Sequence, residues 1–167
     1  MDVKFINPFI QSVVRVFETM VHVKMSVGKP YLKSEDHSAA DVSGIIGFSG
    51  DAAGAVVISF STDVACKSAS QFAGITIDPQ HPDFADAIGE LANMVAGNAK
   101  KEFTDLNIKI SLPSVVIGKQ FTVSNSRTAP RIVIPCKCEL GDIYVEVAME
   151  VMRNPATGTP KTAAVGA

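Results

Sequence analysis

The chain has 167 residues, 47% of them hydrophobic and 19% charged, a balance that describes one folded domain and excludes a disordered one. A formal charge of −2 gives no electrostatic ground for nucleic acid or an anionic membrane as partner, and no apolar run approaches the roughly 18–20 residues of a spanning helix. Three cysteines are an odd number and build no disulfide framework; the opening MDVKFINPFIQSVV has no basic stretch before a continuous apolar core, so no signal peptide and a reducing cytoplasm are expected.

From Asn7 to about Val23 the residues Phe9, Ile10, Val13, Val14, Phe17, Met20 and Val21 recur at helical spacing, with Asn7 as N-cap and Pro8 at the first helical position. Gly28, Pro30 and the polar run Lys33 to Asp41 break the chain. Two short β-branched segments follow, Val42–Ser49 and Ala55–Phe60, joined by Gly50 to Gly54 as a hairpin. Thr62 or Asp63 caps a helix that runs through Phe72 and stops at Gly74. A turn over Pro79 to Pro82 precedes the longest helix, about Pro82 to Leu106. Ser114–Ile117, Ile132–Glu139 and Ile143–Val151 read as strands, the last two joined by a turn at Gly141-Asp142. Ile143–Val151 alternates apolar and charged residues in part, as a half-buried strand does. The order predicts an α+β fold, helices packed on a mainly antiparallel sheet, as one domain over 1–152 with a flexible tail over 153–167.

On the longest helix, Phe84, Ile88, Leu91, Val95, Ala99 and Phe103 fall on one side. Opposite them lie Asp86, Glu90, Asn93 and Gly97, flanked by Lys100 and Lys101; Glu90 and Asn93 are three apart and therefore neighbours. A charged row on a helix is ordinarily a solvated face. Gly, however, costs a helix about 0.8–1.0 kcal/mol relative to Ala, and Asn is also a poor helix former. An acid, an amide and a side-chain gap in one row suggest a surface that another molecule approaches closely, or, at Gly97, close packing against a neighbouring element.

Other candidates are weaker. Cys136 and Cys138 face one side of a strand, but with a solitary Cys66 and the scattered His22, His37 and His81 they assemble no metal site. The glycines from Gly44 to Gly54 lack the Gly-Lys-Ser/Thr ending of a phosphate-binding loop.

The run from Ala87 to Lys100, AIGELANMVAGNAK, resembles the Glu-x-x-Asn signature helix of the CheC/CheX/FliY phosphatases of bacterial chemotaxis. Asp86 matches the Asp or Ser often found four residues before the Glu in that family. GIIGFSG from Gly44, GAVVISFS from Gly54 and LPSVVIG from Leu112 are similar too, so the likeness spans roughly residues 5 to 151. CheC-type members carry two such helices; here the first helix offers Glu18-Thr19-Met20-Val21 without the Asn, and a single site resembles the CheX type. Pro113 follows Asn93 at a spacing slightly shorter than the usual family pattern.

The resemblance implies a phosphorylated CheY-like response regulator as substrate and partner. Asn93 would orient the attacking water and Glu90 would pair with the regulator's Lys, with Asp86, Gly97, Lys100 and Pro113 in the docking surface. No metal or cofactor is expected on this chain, the Mg²⁺ being held by the regulator. A homodimer formed partly through sheet edges is also implied, for which Ile143–Val151 is the expected exposed strand. Two alternatives stand beside the enzyme: a non-catalytic, flagellar-switch-like adaptor that binds a regulator without hydrolysing it, and a structural dimer that buries the Glu90 face.

Overall fold

The β-branched and small residues between Val42 and Phe60 form the middle of an antiparallel sheet, seen in a computed structural model that describes residues 5–33, 40–118 and 129–152. Along the chain come α1 (Asn7–Val16), a π turn (Phe17–Val21), β1 (Ser26–Val27), β2 (Tyr31–Leu32), β3 (Val42–Gly50), β4 (Ala52–Phe60), α2 (Thr62–Ala73) and α3 (Phe84–Lys101). Then follow β5 (Ile108–Ile110), β6 (Ser114–Ile117), β7 (Ile132–Cys138) and β8 (Gly141–Val151). The eight strands lie in the order β1-β7-β8-β4-β3-β5, with β2 also pairing β7 and β6 also pairing β3. Among the described residues, three α-helices packed on an antiparallel sheet make this the expected α+β architecture.

The core lies between the helices and one face of the sheet. Val42, Ile46 and Phe48 of β3, Val56, Ile58 and Phe60 of β4, and Ile143, Val145, Val147 and Met149 of β8 meet Phe9, Val13, Phe17, Phe84, Ile88, Leu91 and Val95. Their alternation along each strand is the two-residue pleat. Gly44 sets how closely α3 sits: a Cβ there would stand 2.8 Å from Ala92 Cβ and 3.2 Å from the Ile88 carbonyl. The backbone of β3 therefore supports the helix directly, and Ser12 Oγ on α1 clamps it from another direction by donating to Val95 O at 2.7 Å.

Several boundaries differ from expectation. Asn7 is the first helical residue, not the cap: Ile6, already in helical conformation, accepts from the Phe9 and Ile10 N–H groups at 3.0 and 3.2 Å. After Val16 the helix widens into the π turn, where the Thr19 hydroxyl donates to Arg15 O at 2.6 Å and competes with the i→i−4 ladder. His22 closes it in a left-handed conformation, φ 61°. Ser61, rather than Thr62 or Asp63, caps α2, its Oγ accepting from Val64 N at 3.3 Å; Thr62 instead donates to the Asp41 carboxylate. Gly74 ends α2 at φ 71°, as expected. The long helix stops at Lys101, beyond which isolated turns bond Phe103 N to Lys100 O and Leu106 N to Phe103 O.

The strand Ile143–Val151 was expected at an exposed edge and is not there. β8 lies between β7 and β4 and pairs with both, Cys138 to Ile132 on one side and Phe60 to Ala52 on the other. Ile143–Val147 are therefore paired on both sides, whereas Ala148–Val151 pair, among the described residues, with β4 alone. Glu146, which read as the solvent-facing half of an alternating strand, is 5% exposed and accepts from Lys33 Nζ through both carboxylate oxygens at 2.8 Å, with Arg131 Nη1 3.8 Å away. Such a charge is tolerated inside only because it is paired. The tail assigned to 153–167 lies outside the described residues.

Candidate active site

Helix α3 owes its orientation to its apolar side. Phe84, Ile88, Leu91, Val95 and Ala99 are buried, and Ala87, Gly89, Ala92 and Ala96 widen that face. The opposite row projects outward: Asp86 and Glu90 are exposed, while Asn93, Gly97 and Lys100 are half-buried. Lys100 and Lys101 stand in the last turn, where cations complement the helix dipole.

Glu90 and Asn93 meet. The Asn93 amide donates from Nδ2 to Glu90 Oε2 at 3.3 Å. That bond uses one of the amide's two N–H groups and leaves its carbonyl to accept from an incoming water. Gly97, one turn further on, has no atom within 4 Å of where a Cβ would stand. Among the described residues nothing packs against it. It leaves open space beside the Asn, and the Glu90 face is not buried against the protein's own core.

Pro113 comes to the site from the connection between β5 and β6. A Cβ on Gly89 would lie 3.3 Å from Pro113 Cβ and Cγ and 3.5 Å from Val115 Cγ2, so the connection rests on α3 at the residue just before Glu90. Gly89 was missed in the sequence, although a glycine inside a helix beside the acid was a signal for close approach. A groove of about 340 Å³ runs between α1 and the C-terminal end of α3, lined by Gln11, Arg15, Asn98, Lys101 and Glu102 among others. Asn98 and the groove were also not foreseen, because they depend on how α1 docks.

Among the described residues no group of three His, Cys, Asp or Glu side chains is placed to hold a metal ion, and His37 lies outside them. Burial pushes the Cys136 thiol up to about 12, so it stays protonated at neutral pH. Among the described residues no helix is long and apolar enough to cross a membrane.

Residues 42–137 match the family described as chemotaxis phosphatase CheX. The chain is 30% identical over 128 residues to the CheY-P phosphatase CheX of Thermotoga maritima, covering 75% of this chain and 83% of that one. A CheC-like superfamily protein from Shewanella sp. PV-4 superposes with a TM-score of 0.81 at 33% identity, over 90% of this chain and 99% of that one. The CheX of a CheX–CheY–BeF3–Mg²⁺ complex from Borrelia burgdorferi shares the fold, with a TM-score of 0.74 at 24% identity over 87% of this chain and 97% of that one.

Proposed function

The chain belongs to the CheX family of chemotaxis phosphatases, and from that premise we propose that its substrate is an aspartyl phosphate on a cytoplasmic CheY-like response regulator. The observation that carries the reading is the outward Glu90–Asn93 pair on a helix held rigidly by Gly44, Ser12 and the core.

In the reaction a water oxygen bonds to phosphorus as the bond to the aspartate carboxylate oxygen breaks, leaving inorganic phosphate and a free carboxylate. Phosphoryl transfer of this kind needs positioning and charge stabilisation more than covalent help. Asn93 is suited to positioning, because its amide accepts from the water without presenting a negative charge to the phosphoryl group. Glu90 is suited to docking through a charge-assisted bond to the regulator's lysine. Its bond to Asn93 then couples docking to the placement of the amide. The regulator holds the Mg²⁺ that neutralises the phosphoryl oxygens. Asp86 and Lys100 extend the docking row along α3, and Gly97 gives the regulator's backbone room to approach.

Glu90→Ala tests the docking role. Titration of a regulator kept phosphorylated by acetyl phosphate is expected to show affinity weakened about tenfold, the size of one good charge-assisted contact. Unchanged affinity would remove Glu90 from the interface. A two-fold dimer belongs to the same reading, with edge pairing open to the outer strands β1, β2, β5 and β6 and to the Ala148–Val151 end of β8. Light scattering that finds only monomer at micromolar concentration would remove it.

A further inference from the structure

We propose that Leu112, exposed on a knob next to Pro113 beside α3, is an additional, apolar docking contact for the regulator, an inference that rests on the function proposed above. Leu112 is 87% exposed, the highest value among the large hydrophobic residues described. A single exposed Leu on a surface is ordinary. This one differs in three respects: it is held rigid, it has apolar neighbours, and it stands at the rim of the Glu90–Asn93 face.

Rigidity comes from Ser111. Its N–H donates to Gly47 O at 2.9 Å, its Oγ accepts from Gly47 N at 2.9 Å, and the same hydroxyl donates to Leu112 O at 2.7 Å. On either side, Ile110 pairs with Phe48 and Ser114 pairs with Ile45, so both ends of the knob are fixed to β3. A side chain presented on a fixed backbone gives up less conformational entropy when it is covered. The apolar neighbours are Pro113, itself exposed, and β6, where Val115 and Ile117 share a strand face; Ile117 is 54% exposed.

The position commits the knob to one occupant. A Cβ on Gly89 would meet Pro113 and Val115, and Asn93 follows Gly89 by four residues on the same side of α3. Any protein that brings a phosphoaspartate to Asn93 must cover this rim as well. The charged row then sets register while the apolar knob supplies affinity. The regulator must accordingly present an apolar patch next to its phosphorylation site.

The test uses the intact chain and a phosphorylated regulator. Leu112→Ser removes the apolar contact at an exposed position, and Ile75→Ser, at a residue 50% exposed just beyond α2, controls for loss of surface hydrophobicity. Leu112→Ser is expected to weaken regulator affinity about tenfold, with the rate at saturating regulator within about twofold of the parent and the melting temperature unchanged. Ile75→Ser should alter neither affinity nor rate. Affinity of the Leu112→Ser variant within twofold of the parent would overturn the proposal, as would an equal loss in Ile75→Ser. The affinity titration separates this inference from the catalytic reading. A parent that binds but does not hydrolyse, with Leu112→Ser binding more weakly, sustains the knob and removes the phosphatase mechanism. A parent that does not bind the phosphorylated regulator overturns both.

Discussion

Asn93→Ala is expected to slow dephosphorylation of the regulator by about one to two orders of magnitude while leaving affinity and fold close to the parent's. The amide is half-buried and its one side-chain bond among the described residues is to Glu90 Oε2, so its loss leaves none of them with an unpaired buried group. What disappears is the acceptor that holds a water in line with the breaking bond, an interaction that gains strength in the transition state. Such a change lowers kcat and kcat/KM together. Single-turnover decay of the phosphorylated regulator, followed with and without each variant, measures it. Decay as fast as with the parent would remove the water-orienting role from Asn93.

Gly54→Ala is the substitution expected to cost most in stability, about 3–5 kcal/mol. Gly54 sits in β4 at φ 152°, between Phe48 of β3 and Met149 of β8. A Cβ there would fall on the Ala148 carbonyl oxygen and within 2.9 Å of Met149 Cα, both backbone atoms of a central strand. Nothing flexible can move aside, and the β4–β8 ladder has to open. For a domain of ordinary stability, about 5–15 kcal/mol, that is a large fraction of the whole. Gly97→Ala is the natural comparison. It has open space around the new Cβ and is expected to gain roughly 0.5–1 kcal/mol from helix propensity. Urea unfolding followed by circular dichroism reads both. A Gly54→Ala midpoint equal to the parent's would contradict the packing described for β4.

The contrast between these glycines shows what could be read from residues alone. Helix α3 was legible because its apolar spacing is regular and its polar row contains residues a helix does not favour. That Glu90 and Asn93 are neighbours followed directly, since residues three apart on a helix need no tertiary information, but their roles came only from the family resemblance. Gly97 was ambiguous between packing and an approach surface, and only the surroundings of its Cα decide for open space within this chain.

The sheet was legible where strands are long and β-branched. It was not where pairing is short and set by distant partners. β1, β2 and β5, each two or three residues long, carry no periodicity of their own and exist because β7 and β3 offer free backbone. The misplacement of β8 has a physical cause as well. Glu146 and Glu150 gave it the alternation of a half-solvated strand, but Lys33 and Arg131 come from elsewhere in the chain to pair with Glu146 inside. Pattern reading cannot anticipate a buried charge whose partner is more than a hundred residues away. Pro113 was named only through the family resemblance, and Leu112 beside it escaped for the same reason: its place beside α3 comes from β5 and β6 both pairing with β3.

Above all, this chain should shorten the life of a phosphorylated regulator. A CheY-like receiver is phosphorylated with acetyl phosphate and Mg²⁺, freed of donor, and its phosphoaspartate is followed by phosphate release with the parent chain added at substoichiometric amounts. Release is expected to accelerate in proportion to added chain, with many regulators turned over per phosphatase. Binding of the phosphorylated receiver without any change in its lifetime would contradict this and leave the protein an adaptor.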